Sequence, residues 1–163
     1  MVKVAIIGVG TVGKSVVEIL KNNSDIIQAR AGKKIEPVVG VVRNLKKNRG
    51  VDIEITDNID EVLKREDIDI VVELMGGVEE PFKVVKTALE NGKSVVTANK
   101  ALLAYHRYQL QDIAGDIPFE YEASVAGGIP IITALRDGLS ANHINSIYGI
   151  LNGTSNFILT KMI

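Results

Sequence analysis

Apolar residues in this chain come in short runs, and between them lie segments with helical spacing. Lys3-Val4-Ala5-Ile6-Ile7 reads as a short buried strand, and an amphipathic helix follows from about Thr11 to Leu20. Glu36 to Val42 is a second run of strand length, with Pro37 near its start, where a missing N–H costs little. Between the two, Lys21 to Lys34 is polar, begins Asn-Asn-Ser-Asp, and reads as a helix end and a loop. Asp52 to Ile55 is a brief strand, and Asp57 or Asn58 can cap a helix through about Arg65. Asp69 to Leu74 is a buried strand that ends in the turn Gly76-Gly77. Glu80 to Asn91 is a helix with Pro81 in its first turn, an apolar stripe of Val84, Val85, Ala88 and Leu89, and Gly92 as its stop. Ser94 to Thr97 is a strand, Asn99 to about Ala114 is mostly helical, and Phe119 to Glu122 is another short strand. The tail differs: Ala123 to Pro130 is a loop of small residues, and Pro130 to Leu139 is a helix. Asn145 to Leu151 is a new strand, and Gly153-Thr154-Ser155-Asn156 opens a further helix.

Alternating strands and helices predict an α/β fold, a doubly wound and mostly parallel sheet of Rossmann type covered on both faces. Ligands then lie at the carboxyl ends of the strands, near the reversal in strand order. The first of those ends carries Gly8-Val9-Gly10-Thr11-Val12-Gly13, a G-x-G-x-x-G turn between a strand and a helix. Gly8 permits the tight turn, Gly10 lets backbone N–H groups approach a pyrophosphate, and Gly13 lets the helix pack close to the strand. The start of that helix carries partial positive charge and unpaired N–H donors. The alternative is a tight turn with no ligand.

Composition narrows the classes. The chain has 163 residues, which suits one domain or one domain plus part of a second, and 46% of them are hydrophobic. Residues 1–138 read as a nucleotide-binding domain, and residues 139–163 as the beginning of a second domain. Aromatics make up 4%, there is no Trp, and the net charge is −1, so neither nucleic acid nor a membrane surface is an expected partner. No cysteine is present, which removes disulfides, thiolate zinc sites and cysteine nucleophiles. No apolar run is long enough to span a bilayer and no basic-then-apolar leader opens the chain, so a soluble cytoplasmic protein is expected.

The second strand ends in Val42-Arg43-Asn44, where NAD-selective turns carry a carboxylate for the ribose hydroxyls. Arg43 instead offers a planar fork of donors suited to a 2′-phosphate, with Lys46, Lys47 and Arg49 nearby. This favours NADP, with NAD as the alternative; the lysines and Arg49 are equally consistent with a solvated loop. Met75, Gly76 and Gly77 follow a buried strand and can pass close under a ribose or nicotinamide, or simply form a turn. Lys100 stands at the sheet's carboxyl edge, where it could hold a carboxylate or carbonyl oxygen or move a proton. The first turn of a helix disfavours a cation, which argues for a role. Glu122 precedes small residues whose carbonyls can turn inward, a set suited to a hard cation of low charge, although a hinge or close backbone approach would use the same residues. His106 and His143 lack partners for catalysis and read as structural.

Taken in order, the turn from Gly8 to Gly13, Val72 to Gly77, Thr97 to Lys100, Glu122 to Ile132 and Gly149 to Phe157 resemble homoserine dehydrogenase along nearly the whole chain. That family interconverts L-homoserine and L-aspartate 4-semialdehyde by hydride transfer with NADPH or NADH, on the route to threonine, methionine and isoleucine. The resemblance implies coenzyme contacts at Gly8, Gly10, Thr11, Val12, Gly13, Arg43, Met75, Gly76, Gly77, Asn99, Lys100 and Ser124. It implies Lys100 beside the nicotinamide, and a sodium site at Glu122 with the carbonyls of Val125, Gly127 and Ile129. It also implies a homodimer in the full-length protein, built through a second domain. That domain's substrate-binding acids and proton-transfer lysine would lie past Ile163, so this chain is expected to bind NADP(H) without turning over homoserine. Dehydrogenases acting on aspartate or diaminopimelate share the first motif but would need a different loop after Tyr121. A non-enzymatic NAD(P)-sensing regulatory domain would carry a DNA-binding element or a basic face.

Overall fold

Six of the apolar runs become strands of one all-parallel sheet, ordered β3-β2-β1-β4-β5-β6. The computed structural model describes residues 1–149 and 153–162. The strands are β1 (Val2–Ile7), β2 (Ile35–Val41), β3 (Glu54–Thr56), β4 (Ile70–Glu73), β5 (Ser94–Thr97) and β6 (Phe119–Glu120). The helices are α1 (Thr11–Asn22), α2 (Ser24–Ala31), α3 (Ile59–Lys64), α4 (Glu79–Glu90) and α5 (Lys100–Ala114). Beyond β6 come a 3₁₀ turn (Glu122–Ser124), then α6 (Ile131–Thr133), which passes into a wider π turn (Ala134–Gly138), and then α7 (Gly153–Met162). No helix among the described residues is long and apolar enough to cross a membrane.

Strand alternation divides the core in two. Ala5, Ile7, Val39, Val41, Val71 and Val95 face α3, α4 and α5, whose Leu63, Val85, Leu89, Leu102 and Leu110 are buried against them. Val4, Ile6 and Val72 point the other way, toward Val17 of α1. Parallel crossovers are right-handed, so the step from β1 out to β2 lays α1 and α2 on one face. The steps from β3 to β4, β4 to β5 and β5 to β6 run in the opposite sense and lay α3, α4 and α5 on the other. The β2–β3 connection contains no helix.

Both faces carry helices, as the alternation predicts, while the bounds of several elements are corrected. Beside α1 the sheet opens into an apolar groove of about 300 Å3 lined by Val12, Val16, Ile70, Val72, Leu74 and Val96. The segment Lys21–Lys34 is also corrected: it holds α2, which ends on left-handed Gly32. This helix buries none of its residues, so it shows no apolar stripe to betray it. The third strand lies at Glu54–Thr56 rather than Asp52–Ile55, and β6 stops at Glu120, with Glu122 already in the 3₁₀ turn. Residues 145–149 form no strand, and positions 150 and 151 of that expected strand fall outside the described residues. Pro37 sits within β2, and the β1–β2 register slips beside it, between Val4 and Ala5.

Leu110 is fully buried between α5 and the sheet, whereas Tyr108 on the same helix is 73% exposed. Leu110→Ala should lower the unfolding free energy by about 2–5 kcal/mol through lost burial and a residual cavity. Tyr108→Ala should change it by less than about 0.5 kcal/mol. Urea titrations of the two variants measure the contrast.

Candidate functional site

The sheet's strand order reverses at β1, which pairs with β2 on one side and β4 on the other. The chain leaves β1 through Gly8, at φ +106°, a left-handed conformation that only glycine holds without strain. A Cβ there would also lie 2.8 Å from the Leu74 carbonyl oxygen. A Cβ on Gly13 would come within 2.3 Å of the Gly8 carbonyl oxygen, so α1 rests directly on the turn. Gly10 has no neighbour within 4 Å of where its Cβ would stand. It is the N-cap of α1, no side chain caps that helix, and no acidic residue lies in its first turn. The opening N–H groups of α1 thus stay available to an anion.

A cavity of about 280 Å3 occupies the crevice beside this turn. It brings together Gly8, Gly10, Arg43, Met75 and Gly76, with Arg49 and Glu80 on its rim. Arg43 is exposed at the end of β2, and its Nη2 donates to Glu80 Oε2 at 2.7 Å. Arg49 reaches the same wall from the β2–β3 loop, and its Nε is buried with no hydrogen-bond partner. Thr11 faces a neighbouring cleft with Lys14, Lys47 and Arg49. Val12, 59% exposed, lines the apolar groove instead.

The other candidates lie further along the same edge. Asn99 caps α5 by accepting the Leu102 N–H at 3.1 Å, and its Nδ2 donates to the Gly77 carbonyl at 2.9 Å. Lys100 opens α5 and is exposed. Ser124 Oγ donates to the Thr97 carbonyl at 2.9 Å, which ties the 3₁₀ turn to the end of β5. Sequence reasoning missed Glu73. It is fully buried at the end of β4, where it accepts the Met75 N–H at 2.7 Å and the Thr97 hydroxyl at 2.5 Å.

Glu122 has a different environment. Its Oε1 accepts the Ile132 N–H at 2.9 Å, and Oε2 accepts both the Thr133 hydroxyl at 2.6 Å and the Thr133 N–H at 2.7 Å. The Thr133 hydroxyl above all, with the backbone donors, holds its carboxyl below the usual glutamate range. The following turn has Ala126 and Gly127 in left-handed conformation. The Ile129 carbonyl accepts the Ile131 N–H at 2.8 Å and keeps one lone pair free. A cation held here would draw mainly on the carbonyls of residues 125–129. No group of three or more His, Asp or Glu among the described residues is arranged to hold a metal. His106 stacks on Phe82 at 4.3 Å, and His143 is exposed.

The strand order 3-2-1-4-5-6, the glycine turn and the anion-ready helix start define a dinucleotide-binding domain. A family model for the NAD-binding domain of homoserine dehydrogenase matches residues 8–116, and a second homoserine dehydrogenase model matches residues 130–163. This chain belongs to the homoserine dehydrogenase family and is an NAD(P)-binding portion of that kind of protein. It is 54% identical to the homoserine dehydrogenase of Helicobacter pylori, over 98% of this chain and 38% of that protein. The crystal structure of a homoserine dehydrogenase from Thiobacillus denitrificans superposes with a TM-score of 0.92 at 45% identity, over 99% of this chain and 38% of that one. A hyperthermophilic archaeal homoserine dehydrogenase in complex with NADPH gives 0.81 at 27% identity, over 99% and 56%. The chain thus spans 38% of the length of its bacterial relatives named here.

Burial pushes the Glu73 carboxyl above the usual glutamate range, against the opposing pull of its hydrogen bonds. The native chain then binds a proton at pH values where the unfolded chain has released it. The stability owed to this proton is fully present below the unfolded pKa and is lost as pH rises through the raised folded value. The expected outcome is that Glu73→Gln gains on the native chain as pH climbs from acid to neutral. Urea midpoints of both chains across that range measure it, and a constant difference would exclude the shift.

Proposed function

We propose that this chain supplies the coenzyme half of a homoserine dehydrogenase and prefers NADP(H) to NAD(H). One observation carries the reading: the uncapped start of α1 and the Gly8–Gly10 turn share a cavity with Arg43 and Arg49. The diphosphate would lie against the N–H groups of Thr11, Val12 and Gly13. A 2′-phosphate would take the guanidinium of Arg43 from Glu80 and reach the unpartnered Nε of Arg49. The archaeal relative's complex with NADPH is consistent with a site that admits a 2′-phosphate.

When bound, the reduced nicotinamide would supply a hydride from C4 to the aldehyde carbon of L-aspartate 4-semialdehyde, and a proton delivered to the aldehyde oxygen would complete L-homoserine. Met75, Gly76 and Gly77 would pass under the nicotinamide half, with Asn99 and Ser124 beside it. The exposed ammonium of Lys100, beside Asn99, would meet the reacting end of the coenzyme and substrate. The turn at Val125, Gly127 and Ile129, with the remaining lone pair of Glu122 Oε1, offers oxygen ligands suited to sodium. Residues 1–138 would form the coenzyme domain and residues 139–163 the opening of the substrate and dimerisation domain. A cytoplasmic homodimer on the route to threonine, methionine and isoleucine fits this reading.

Calorimetry with NADPH and NADH tests the preference. Arg43→Ala should weaken NADPH by about 10- to 100-fold, the loss of a charge-assisted contact, and leave NADH within about threefold. Equal losses would overturn the assignment of the 2′-phosphate to Arg43. Failure of the unaltered chain to bind either coenzyme would overturn the whole reading.

A further inference from the structure

Glu73 and Thr97 are directly opposed register partners on the last rung of β4 and β5. Both are fully buried, among valines and leucines. A carboxylate there gives up its hydration, and the hydrophobic core has no need of it. Its hydrogen bonds all lead to loops. Glu73 Oε1 accepts the Met75 N–H at 2.7 Å, and Oε2 accepts the Thr97 hydroxyl at 2.5 Å. Thr97 Oγ1 in turn accepts the Asn99 N–H at 3.0 Å, and Asn99 Nδ2 donates to the Gly77 carbonyl at 2.9 Å. The path begins and ends on the turn after β4, and it passes through the N-cap of α5. The Ser124 hydroxyl joins from the third loop through the Thr97 carbonyl, at 2.9 Å.

The polarity of this path has one consistent direction. Met75 N–H and the Thr97 hydroxyl both need an acceptor, and once ionised, above its raised pKa, the Glu73 carboxylate offers one oxygen to each. With the Thr97 hydrogen committed to Glu73, its oxygen lone pairs face the Asn99 N–H. An amide at position 73 would turn an NH₂ donor toward either Met75 or Thr97 and leave a buried hydrogen unpaired.

We infer that Glu73 is a positioning residue, which through Thr97 and Asn99 sets the spacing between the Met75–Gly77 turn and the start of α5 around the nicotinamide half of the coenzyme. The inference rests on the coenzyme reading above. Glu73 touches no ligand itself; it holds the backbone that does. Arg43, assigned above to the 2′-phosphate, makes no hydrogen bond in this path, and because Met75 and Gly76 line the same cavity a ligand without the nicotinamide half serves as the control.

The test compares two ligands on this chain. One is NADPH; the other is adenosine 2′-phosphate 5′-diphosphate, which lacks the nicotinamide riboside. The ratio of their dissociation constants reports what the nicotinamide half contributes. Glu73→Gln and Thr97→Val should each shrink that ratio by about tenfold, the scale of one disrupted buried hydrogen bond. The shorter ligand should stay within twofold, and Thr97→Ser, which keeps the hydroxyl, should restore the ratio. Thr97→Val carries the same test if Glu73→Gln fails to fold. A ratio unchanged in both variants, even with a lower melting temperature, overturns the inference and leaves the coenzyme reading standing. Equal weakening of both ligands, or a ratio of one in the unaltered chain, overturns it as well. Binding of neither ligand by the unaltered chain removes both readings together.

Discussion

Everything at the carboxyl edge depends on how tightly the β1–α1 turn is held. The Leu74 carbonyl, just past β4, occupies the space a side chain at Gly8 would need, and the Gly8 carbonyl occupies the space a side chain at Gly13 would need. No side chain fits at either contact. The turn is therefore fixed between two neighbours, and α1 can leave it in only one direction. Its free N–H groups consequently open into the crevice where the strand order reverses. Arg43 and Met75 reach the same cavity because β2 and β4 flank β1 and run parallel to it.

The parts of this structure that bury apolar surface were legible in the sequence. Strands β1, β2, β4 and β5 appear as valine and isoleucine runs, and α4 as a stripe of Val84, Val85, Ala88 and Leu89. Helix α2 was not, because it buries nothing and so leaves no periodic trace. The uneven covering of the sheet was hidden for another reason. A pattern of apolar positions says that a residue is buried, while the handedness of each crossover decides under which helix.

The site divides along the same line. The place of Arg43 beside the crevice was readable because a strand end is a place the sequence marks. The cap of α3 was readable as Asp57 or Asn58, and it is Asn58 that accepts the Glu61 N–H; Asn99 was readable only as the start of a helix, and its side chain caps α5 by accepting the Leu102 N–H. Glu73 was not, since a glutamate closing an apolar run looks like the strand's emergence into water. Only the register of β4 against β5 sets it beside Thr97 and under the helices. Arg49 was ambiguous because its loop carries no period, and only the folded β2–β3 connection brings it to the wall of the cavity. The pair of Arg43 with Glu80 is exposed on both sides and so adds little to stability, about 0–1 kcal/mol. A contact of that strength yields readily to a stronger anion.

The two outermost strands, β3 with three residues and β6 with two, bound a sheet whose inner members are longer. A parallel sheet that ended on a full-length valine-rich strand would offer a row of unsatisfied amides and carbonyls to any extended chain it met. Borders this brief give an incoming strand almost nothing to pair with. The architecture thereby resists edge-to-edge growth into fibrillar assemblies, and the charges of Glu54 on β3 and Glu120 on β6, with Pro118 just before β6, reinforce those margins.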